Sequence, residues 1–200
     1  MEVTHSRWLE AQQHERKFHN EDFETGRKHY AESYRQYFEY LDITEPVGII
    51  CEIGPADFPA LGYINHAKGS FIIEPMPSEH LKRFNIPVVT TMAEDAEYQV
   101  DEVWLFNVLQ HVIDPYKIVE RAKAQANVVR FFEPINYGID DCHPWNLTME
   151  MFKGWLGSCV QHYPGGQNVV NFHTHECAYG VWRKDHSNKM MRLIAPELNF

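Results

Sequence analysis

Two helical patterns open the chain. In residues 5–19, Trp8, Leu9 and Phe18 form a sparse apolar set, and Thr4 precedes them as a plausible N-cap. Residues 25–41 show a clearer pattern, in which charged residues separate apolar positions at helical spacing: Tyr30, Tyr34, Tyr37, Phe38 and Leu41. The sequence therefore predicts two N-terminal helices in a region that ends at Pro46.

From residue 47 the pattern changes to short, continuous apolar runs. These runs occupy residues 47–54, 70–75, 86–92, 100–108 and 127–135. Such runs are typical of strands that are buried on both faces of a parallel sheet. Candidate helices lie between them, at residues 57–67, 77–84 and 114–126. The alternation predicts an α/β fold with a doubly wound sheet and helices on both of its faces.

The last third of the chain follows a different pattern. Residues 148–157 predict a helix with Thr148 as its N-cap, and Gly165-Gly166 marks a turn between two further strand-like runs, within residues 158–163 and 168–185. These runs are interpreted as antiparallel strands at the edge of the sheet. They complete a mostly parallel, seven-stranded sheet.

Composition narrows the class of protein. The chain has 200 residues, an apolar fraction of 44% and a net charge of −10, which fits one soluble globular domain. An acidic chain is poorly suited to coating a phosphate backbone, so a nucleic-acid partner is not expected. A small-molecule partner is expected instead, and the sequence leaves the oligomeric state open.

The cysteines and the hydropathy indicate a location. Four cysteines form no CxxC pair, and Cys51 lies inside an apolar run, which favours free thiols in a reducing compartment. The first residues lack the apolar core of a signal peptide, and no apolar segment approaches the roughly 18 residues of a membrane span. The sequence predicts a cytoplasmic protein without a membrane partner.

A glycine and several acids stand where the predicted strands end. The first strand ends at residues 52–56, the second at Glu74-Pro75 and the fourth at residues 106–108, while residues 93–95 follow the third. In an open α/β sheet, ligands bind at this edge. Gly54 allows close approach of the backbone, and Glu74, twenty residues later, is placed to accept ribose hydroxyls. The pattern therefore predicts a ligand that contains a nucleoside.

These segments resemble the class I S-adenosylmethionine-dependent methyltransferases over residues 47–135, with a looser match to residues 136–183. "ICEIG" is similar to the first motif of that family and "FIIEP" to the second. "NVLQHVIDP" is the most specific match, and "CHPWNLT" resembles a segment that follows the fifth strand in some of these enzymes. Ala56 and Phe58 depart from the family pattern, because they occupy places where further glycines are expected.

The resemblance implies S-adenosylmethionine as the cofactor and a role for each strand end. The methionine part of the cofactor would face Glu52, Gly54, Pro55 and Ala56, and its ribose would meet Glu74 and Pro75. Its adenine would contact Ala93, Glu94 and Asp95. Phe106, Asn107 and Val108 would line the pocket for its sulfonium. His111 has two interpretations: it belongs to this site, or it is a structural histidine that bonds backbone.

His143 is the candidate general base, since its segment follows the fifth strand and would face the methyl group. The alternative is a loop histidine that fixes the turn before Pro144. Trp145 would form an aromatic wall for the acceptor or only pack the lid. Residues 1–45 would form a helical cap on a methyltransferase domain of residues 46–200, from which His19 and Tyr30 could reach the acceptor.

Histidines near the C-terminus raise the question of a metal. His173 and His175 would share one face of a strand, but no second cluster with ligand spacing is evident, so no metal is expected. The sequence thus predicts methyl transfer to an oxygen or nitrogen of a small molecule. Two alternatives stay open: a non-catalytic or regulatory S-adenosylmethionine-binding protein of the same fold, and a nicotinamide-dependent oxidoreductase, which the missing glycines disfavour.

Overall fold

The computed structural model describes residues 3–17, 22–44, 48–166 and 174–184. Within these ranges, five helices run in the order α1 His5–Glu15, α2 Phe23–Tyr40, α3 Glu79–Lys82, α4 Pro115–Gln125 and α5 Met149–Leu156. The strands are β1 Ile50–Ile53, β2 Phe71–Ile73, β3 Val88–Val89, β4 Val100–Phe106, β5 Ala126–Pro134, β6 Val160–Tyr163 and β7 Cys177–Arg183. Short 3₁₀ turns lie at Ala60–Tyr63, Leu109–His111 and Gly157–Cys159.

The strands form one sheet in the order β3-β2-β1-β4-β5-β7-β6. Strands β1 to β5 pair in parallel, and β7 is antiparallel to both of its neighbours. This confirms the predicted seven-stranded, mostly parallel sheet. The prediction that both C-terminal strands lie at the edge is wrong for β7, which lies between β5 and β6. The first part of the predicted last run, up to residue 173, lies outside the described residues.

Helix starts follow the predicted caps. The hydroxyl of Thr4 accepts a hydrogen bond from the backbone N–H of Arg7 at 3.2 Å, and that of Thr148 accepts one from Met151 at 3.3 Å. The prediction of a helix at residues 57–67 is wrong, because only the 3₁₀ turn Ala60–Tyr63 forms there. The Glu52 carboxylate accepts hydrogen bonds from two N–H groups at the start of this turn, and the turn is thereby tied to the end of β1.

Two buried apolar clusters divide the core. Cys51 and Ile53 of β1 belong to one cluster, which also contains residues of α4 and α5. Ile50 belongs to the other, which contains Tyr34 and Tyr37 of α2. Because successive side chains of a strand point to opposite faces, alternate residues of β1 supply the two clusters. Helix α2 thus contributes to one cluster, and α4 and α5 contribute to the other.

Phe58, which stands at one of the expected glycine positions, packs beneath α2. Its buried ring stacks on Tyr30 with 4.8 Å between centroids, and its carbonyl oxygen accepts a hydrogen bond from the Tyr34 hydroxyl at 2.6 Å. A Cβ atom at Gly26 of α2 would overlap this ring. The small residue at this contact is therefore in the helix rather than in the turn after β1.

We expect Gly26→Ala to destabilise the fold by about 1–3 kcal/mol, because the added methyl group overpacks the Phe58 ring. Without that contact, alanine in a helix interior would gain about 1 kcal/mol over glycine. Urea-induced unfolding measures the difference in free energy.

The double variant Gly26→Ala/Phe58→Leu is the matched control. With the ring shortened, the alanine should become neutral or stabilising relative to Phe58→Leu alone, so the two substitutions should couple strongly. Equal destabilisation by the alanine in both backgrounds would contradict this steric explanation.

Candidate functional site

A pocket of about 1080 Å³ lies at the carboxyl edge of the parallel strands. Its wall includes Ile53, Ile73 and Phe106, the last residues of β1, β2 and β4. Helices α1 and α2 also contribute to the lining, through residues such as Trp8 and Tyr37. This is the edge at which open α/β sheets bind ligands.

The structure brings most of the predicted site residues to this pocket. The lining includes Tyr30, Gly54, Pro55, Ala56, Glu74, Pro75, Ala93, Glu94, Phe106, Asn107, Val108, His111 and His143. These residues come from segments far apart in the sequence. The parallel order of β2, β1 and β4 places the ends of these strands side by side.

Three of the predicted residues that the structure describes do not line the pocket. The two carboxylate oxygens of Glu52 accept hydrogen bonds from the backbone N–H groups of Ala60 and Leu61. Asp95 is exposed and pairs with Lys117 at 3.1 Å. Trp145 packs against the core and donates its indole N–H to the Val112 carbonyl at 2.9 Å. His19 and His173 lie outside the described residues.

The turn after β1 keeps a left-handed backbone with only one glycine. Gly54 has φ of +62°, and a Cβ atom there would overlap the Val108 side chain. Ala56 has φ of +53°, a conformation that costs an L-residue about 1–2 kcal/mol. Glycine is thus needed at position 54 because of close packing, while Ala56 tolerates the same region of backbone space at a cost in strain.

Two buried glutamates on the pocket wall accept backbone hydrogen bonds. Glu74 Oε1 accepts one from Met76 at 3.0 Å, and Glu94 Oε1 accepts two, from Ile113 and Asp114, at 2.9 and 3.1 Å. Burial raises the pKa of Glu74, although hydrogen bonds from backbone N–H groups partly oppose the shift. These hydrogen bonds therefore hold the Glu74 side chain in place just after β2 and the Glu94 side chain in place after β3.

Glu133 has the same role behind the wall. Its carboxylate accepts hydrogen bonds from the N–H groups of Val108 and Leu109 at 3.0–3.1 Å, and the side chain is fully buried near the end of β5. Burial raises the pKa of Glu133 to about 8 and that of Glu52 to about 7. In each case the hydrogen bonds that the carboxylate accepts from backbone N–H groups partly oppose the increase. Glu133 thus fixes the loop that carries Asn107 and Val108 into the pocket.

His143 is oriented by a carboxylate. Its Nδ1 lies 2.8 Å from Oδ1 of Asp140, and Asp140 also accepts hydrogen bonds from the backbone N–H groups of Cys142 and His143. Partial burial would raise the pKa of Asp140, but the hydrogen bonds from His143 and Cys142 lower it. Since an ionised carboxylate only accepts, Nδ1 carries the proton, and Nε2 of the neutral ring is the basic nitrogen.

His111 connects α1 to the loop that carries His143. Its Nδ1 lies 2.6 Å from Oε2 of Glu15, and its carbonyl oxygen accepts a hydrogen bond from Gln12 at 3.2 Å. The rings of His111 and His143 lie 4.7 Å apart. His111 therefore lines the pocket, and its Nδ1 also lies 3.3 Å from the Cys142 carbonyl, which is the kind of backbone contact that its structural interpretation requires.

Sequence reasoning missed several residues that line the pocket or support its wall. Asp140 lies only three residues before His143, a spacing that could have suggested the pair. Glu133, an acid inside an apolar run, carries the same signal that marked Glu52. No sequence pattern indicates that Tyr137 and His175, whose rings lie 4.5 Å apart, meet at the pocket.

The described residues offer neither a metal site nor a membrane-spanning helix. Holding a metal ion would take a group of at least three His, Cys, Asp or Glu side chains, and the described ranges contain no such group. Across the same part of the chain, no helix combines the length and the apolar composition that crossing a membrane requires.

Comparison by sequence finds no relative: no protein-family model matches the chain, and no curated protein matches it significantly. Comparison by structure finds many similar chains. The N-methyltransferase NodS from Bradyrhizobium japonicum WM9, in complex with S-adenosyl-L-homocysteine, matches with a TM-score of 0.59 and 16% identity, over 85% of this chain and 91% of its own.

Two further methyltransferase structures agree. Magnesium protoporphyrin IX methyltransferase ChlM from Synechocystis PCC 6803, with bound S-adenosylmethionine, has a TM-score of 0.51 and 12% identity over 78% of this chain and 80% of its own. The plantazolicin methyltransferase BpumL, in complex with a monoazolic desmethylPZN analog and S-adenosylhomocysteine, has a TM-score of 0.52 and 12% identity over 80% and 84%. These similarities show that the chain has the fold of the class I S-adenosylmethionine-dependent methyltransferases.

The buried Glu133 predicts a pH-dependent stability. Its pKa is about 8 in the folded chain and about 4.5 when unfolded, so between these values the unfolded state releases a proton that the folded state keeps. The free energy of unfolding should therefore fall as pH rises from 5 to 8. Glu133→Gln should flatten this fall by more than about 1 kcal/mol, as measured by urea unfolding at several pH values.

Glu97→Gln is the control, because this glutamate is exposed and should leave the pH dependence unchanged. Parallel curves for Glu133→Gln and the native chain would mean that Glu133 does not hold its proton in the folded state.

Proposed function

We propose that the chain is an S-adenosylmethionine-dependent methyltransferase that methylates an oxygen or nitrogen of a small-molecule acceptor. One observation carries the proposal: a single pocket is lined both by the strand ends that carry Gly54 and Glu74 and by a histidine that Asp140 orients. The first set suits a nucleoside cofactor, and the second suits removal of a proton from an acceptor.

The residues present fit this cofactor. Glu74 is buried in the wall, and a carboxylate at the end of the second strand can accept both hydroxyls of a ribose. Glu94, also buried in the wall, suits the amino group of adenine. Asn107, Val108 and His111 would complete the site, together with Gly54, Pro55, Ala56, Pro75, Ala93 and Phe106. NodS and ChlM, which share the fold, hold S-adenosylhomocysteine and S-adenosylmethionine.

The residues of the chain would mainly position the reactants. When bound, S-adenosylmethionine supplies an electrophilic methyl group on a sulfonium. Asn107 and Val108, whose loop Glu133 fixes, would hold the donor side in place. Nε2 of His143 would take the proton of the acceptor, and such general-base catalysis is worth about 10²- to 10⁴-fold in rate. Orientation of the acceptor in near-attack geometry would supply much of the rest.

The N-terminal helices would act as a cap on the acceptor side. Trp8 of α1 and Tyr30 and Tyr37 of α2 line the same pocket as the strand ends, which supports a cap of residues 1–45 on a domain of residues 46–200. The pocket suits a small acceptor rather than a nucleic acid, and the acidic chain agrees with this. We further propose a cytoplasmic location, in keeping with the four free cysteines.

We expect isothermal titration calorimetry to detect binding of S-adenosylhomocysteine and no binding of NAD. Glu74→Gln should weaken the binding about 10- to 100-fold, because it removes a charged acceptor for the ribose hydroxyls. Glu97→Gln, which alters an exposed glutamate outside the pocket, should bind as tightly as the native chain.

Three results of this titration would separate the alternatives. Binding of NAD in place of S-adenosylhomocysteine would indicate an oxidoreductase. Binding of neither ligand at millimolar concentration would refute the proposed cofactor. Binding of S-adenosylhomocysteine without turnover of any acceptor would favour a regulatory protein of this fold.

Substitutions at the oriented histidine test its role. His143→Ala should lower kcat by about 10²- to 10⁴-fold, because it removes the base. Asp140→Asn should also lower kcat, because the asparagine no longer favours the Nδ1–H tautomer, but the effect should be smaller because the imidazole remains. Release of S-adenosylhomocysteine from S-adenosylmethionine over a library of acceptors measures turnover. Affinity for the cofactor should stay within about twofold, since neither side chain is assigned to its binding.

His162→Ala is the matched control, because His162 is exposed and lies outside the pocket. Unchanged turnover in His143→Ala would remove this histidine from the mechanism while leaving the cofactor proposal in place.

A further inference from the structure

The pocket has two sides with different chemistry. If the cofactor occupies the strand ends, as the proposed function requires, the acceptor is left with residues of the two N-terminal helices, of the loop after β5 and of the positions just before β7: Trp8, His29, Tyr30, Ser33, Tyr34, Tyr37, Tyr137, His143, Thr174 and His175. We call this set the acceptor side. The inference below rests on the proposed function because that function defines this division.

The acceptor side contains no lysine or arginine among the residues that the structure describes. In the whole described lining, Arg16 is the single residue of these types, and its Nη2 donates to the Met76 carbonyl at 2.8 Å. Residues 18–21 and 167–173, which are outside the described ranges, contain neither type in the sequence. A phosphate or carboxylate acceptor would therefore lose its hydration without gaining a charge-assisted hydrogen bond from a lysine or arginine.

Negative charge dominates the pocket as a whole. Its described lining contains five carboxylates: Glu15, Asp57, Glu74, Glu79 and Glu94. The chain itself carries a net charge of −10. A pocket lined by one sign of charge raises the local concentration of ligands with the opposite sign, so this pocket favours a cation.

Aromatic rings supply the remaining surface. Tyr30 is backed by Phe58, with ring centroids 4.8 Å apart, and Tyr37 is backed by Phe106 at 5.2 Å. The ring of Tyr137, which also lines the pocket, lies 4.6 Å from that of His143. Tyrosine rings attract ammonium groups through their electron-rich faces, and their hydroxyl oxygens accept hydrogen bonds from them.

We propose that the acceptor is an amine, which enters as an ammonium ion and is methylated on nitrogen. The ammonium first gives a proton to Nε2 of His143, which frees the nitrogen lone pair. That lone pair then forms the bond to the methyl carbon while the bond from carbon to sulfur breaks. The electron pair of the broken bond stays on sulfur, so the products are S-adenosylhomocysteine and an N-methylammonium ion.

Equilibrium binding tests this inference without relying on turnover. The full chain is saturated with S-adenosylhomocysteine and titrated by calorimetry with three probes of similar shape: phenethylamine, 2-phenylethanol and phenylacetate. The amine should bind at least tenfold more tightly than either of the others. Equal or tighter binding of the alcohol or the acid, or no binding of the amine at millimolar concentration, would overturn the inference.

A charge placed on the acceptor side gives a second readout. Ser33→Arg adds a cation to this side of α2, so it should weaken phenethylamine binding at least fivefold and strengthen phenylacetate binding. Ala31→Arg adds the same charge at an exposed position of the same helix outside the pocket, and should change either affinity less than twofold. Equal effects of the two variants would count against the acceptor side as the binding surface.

The cofactor titration separates this inference from the proposed function. If the native chain does not bind S-adenosylhomocysteine, the proposed function fails, and the inference fails with it. If it binds S-adenosylhomocysteine but prefers the alcohol or the acid, only the amine inference fails.

Discussion

The pocket depends on buried carboxylates that accept hydrogen bonds from backbone N–H groups. A loop that folds back over the end of a strand leaves such groups without partners, and a buried N–H without an acceptor is costly. Glu52, Glu94 and Glu133 each accept two adjacent N–H groups, and each thereby ties a connection to a fixed place on the sheet. The shape of the pocket follows from these ties more than from helical structure, since the connection after β1 forms only a single 3₁₀ turn.

The sequence predicted the sheet and the strand ends that meet at the pocket, because apolar runs and the residues that end them are local signals. It could not name the partner of a side chain that has more than one possible partner. Glu52, inside an apolar run, had to have a partner, but nothing local distinguishes a cofactor from the N–H groups of residues eight and nine positions later. Trp145 presents the same difficulty: its polar edge finds the carbonyl of Val112, which the sequence separates from it by 33 residues.

Two further contacts explain features that sequence patterns left unsettled. Phe58 departs from the expected glycine because α2 provides Gly26 against it, so the steric requirement is met from the other side of the contact. His111 had two interpretations, and the structure supports both in part. It lines the pocket, and its side chain also contacts Glu15 at the end of α1 and the carbonyl of Cys142 in the loop after β5. Both contacts pair residues that periodicity cannot relate, because each partner lies in another element.

The placement of β7 has a consequence for how this protein could diversify. Cys177 pairs with Pro134, so the chain enters β7 beside the point where it leaves β5. Tyr137 and His175, from these two adjoining segments, meet at one wall of the pocket. Both segments are surface connections, which tolerate changes in length and composition better than strands do. One wall of the pocket is therefore modular, and can be exchanged as a unit while the parallel strands and the glutamates beside them stay the same.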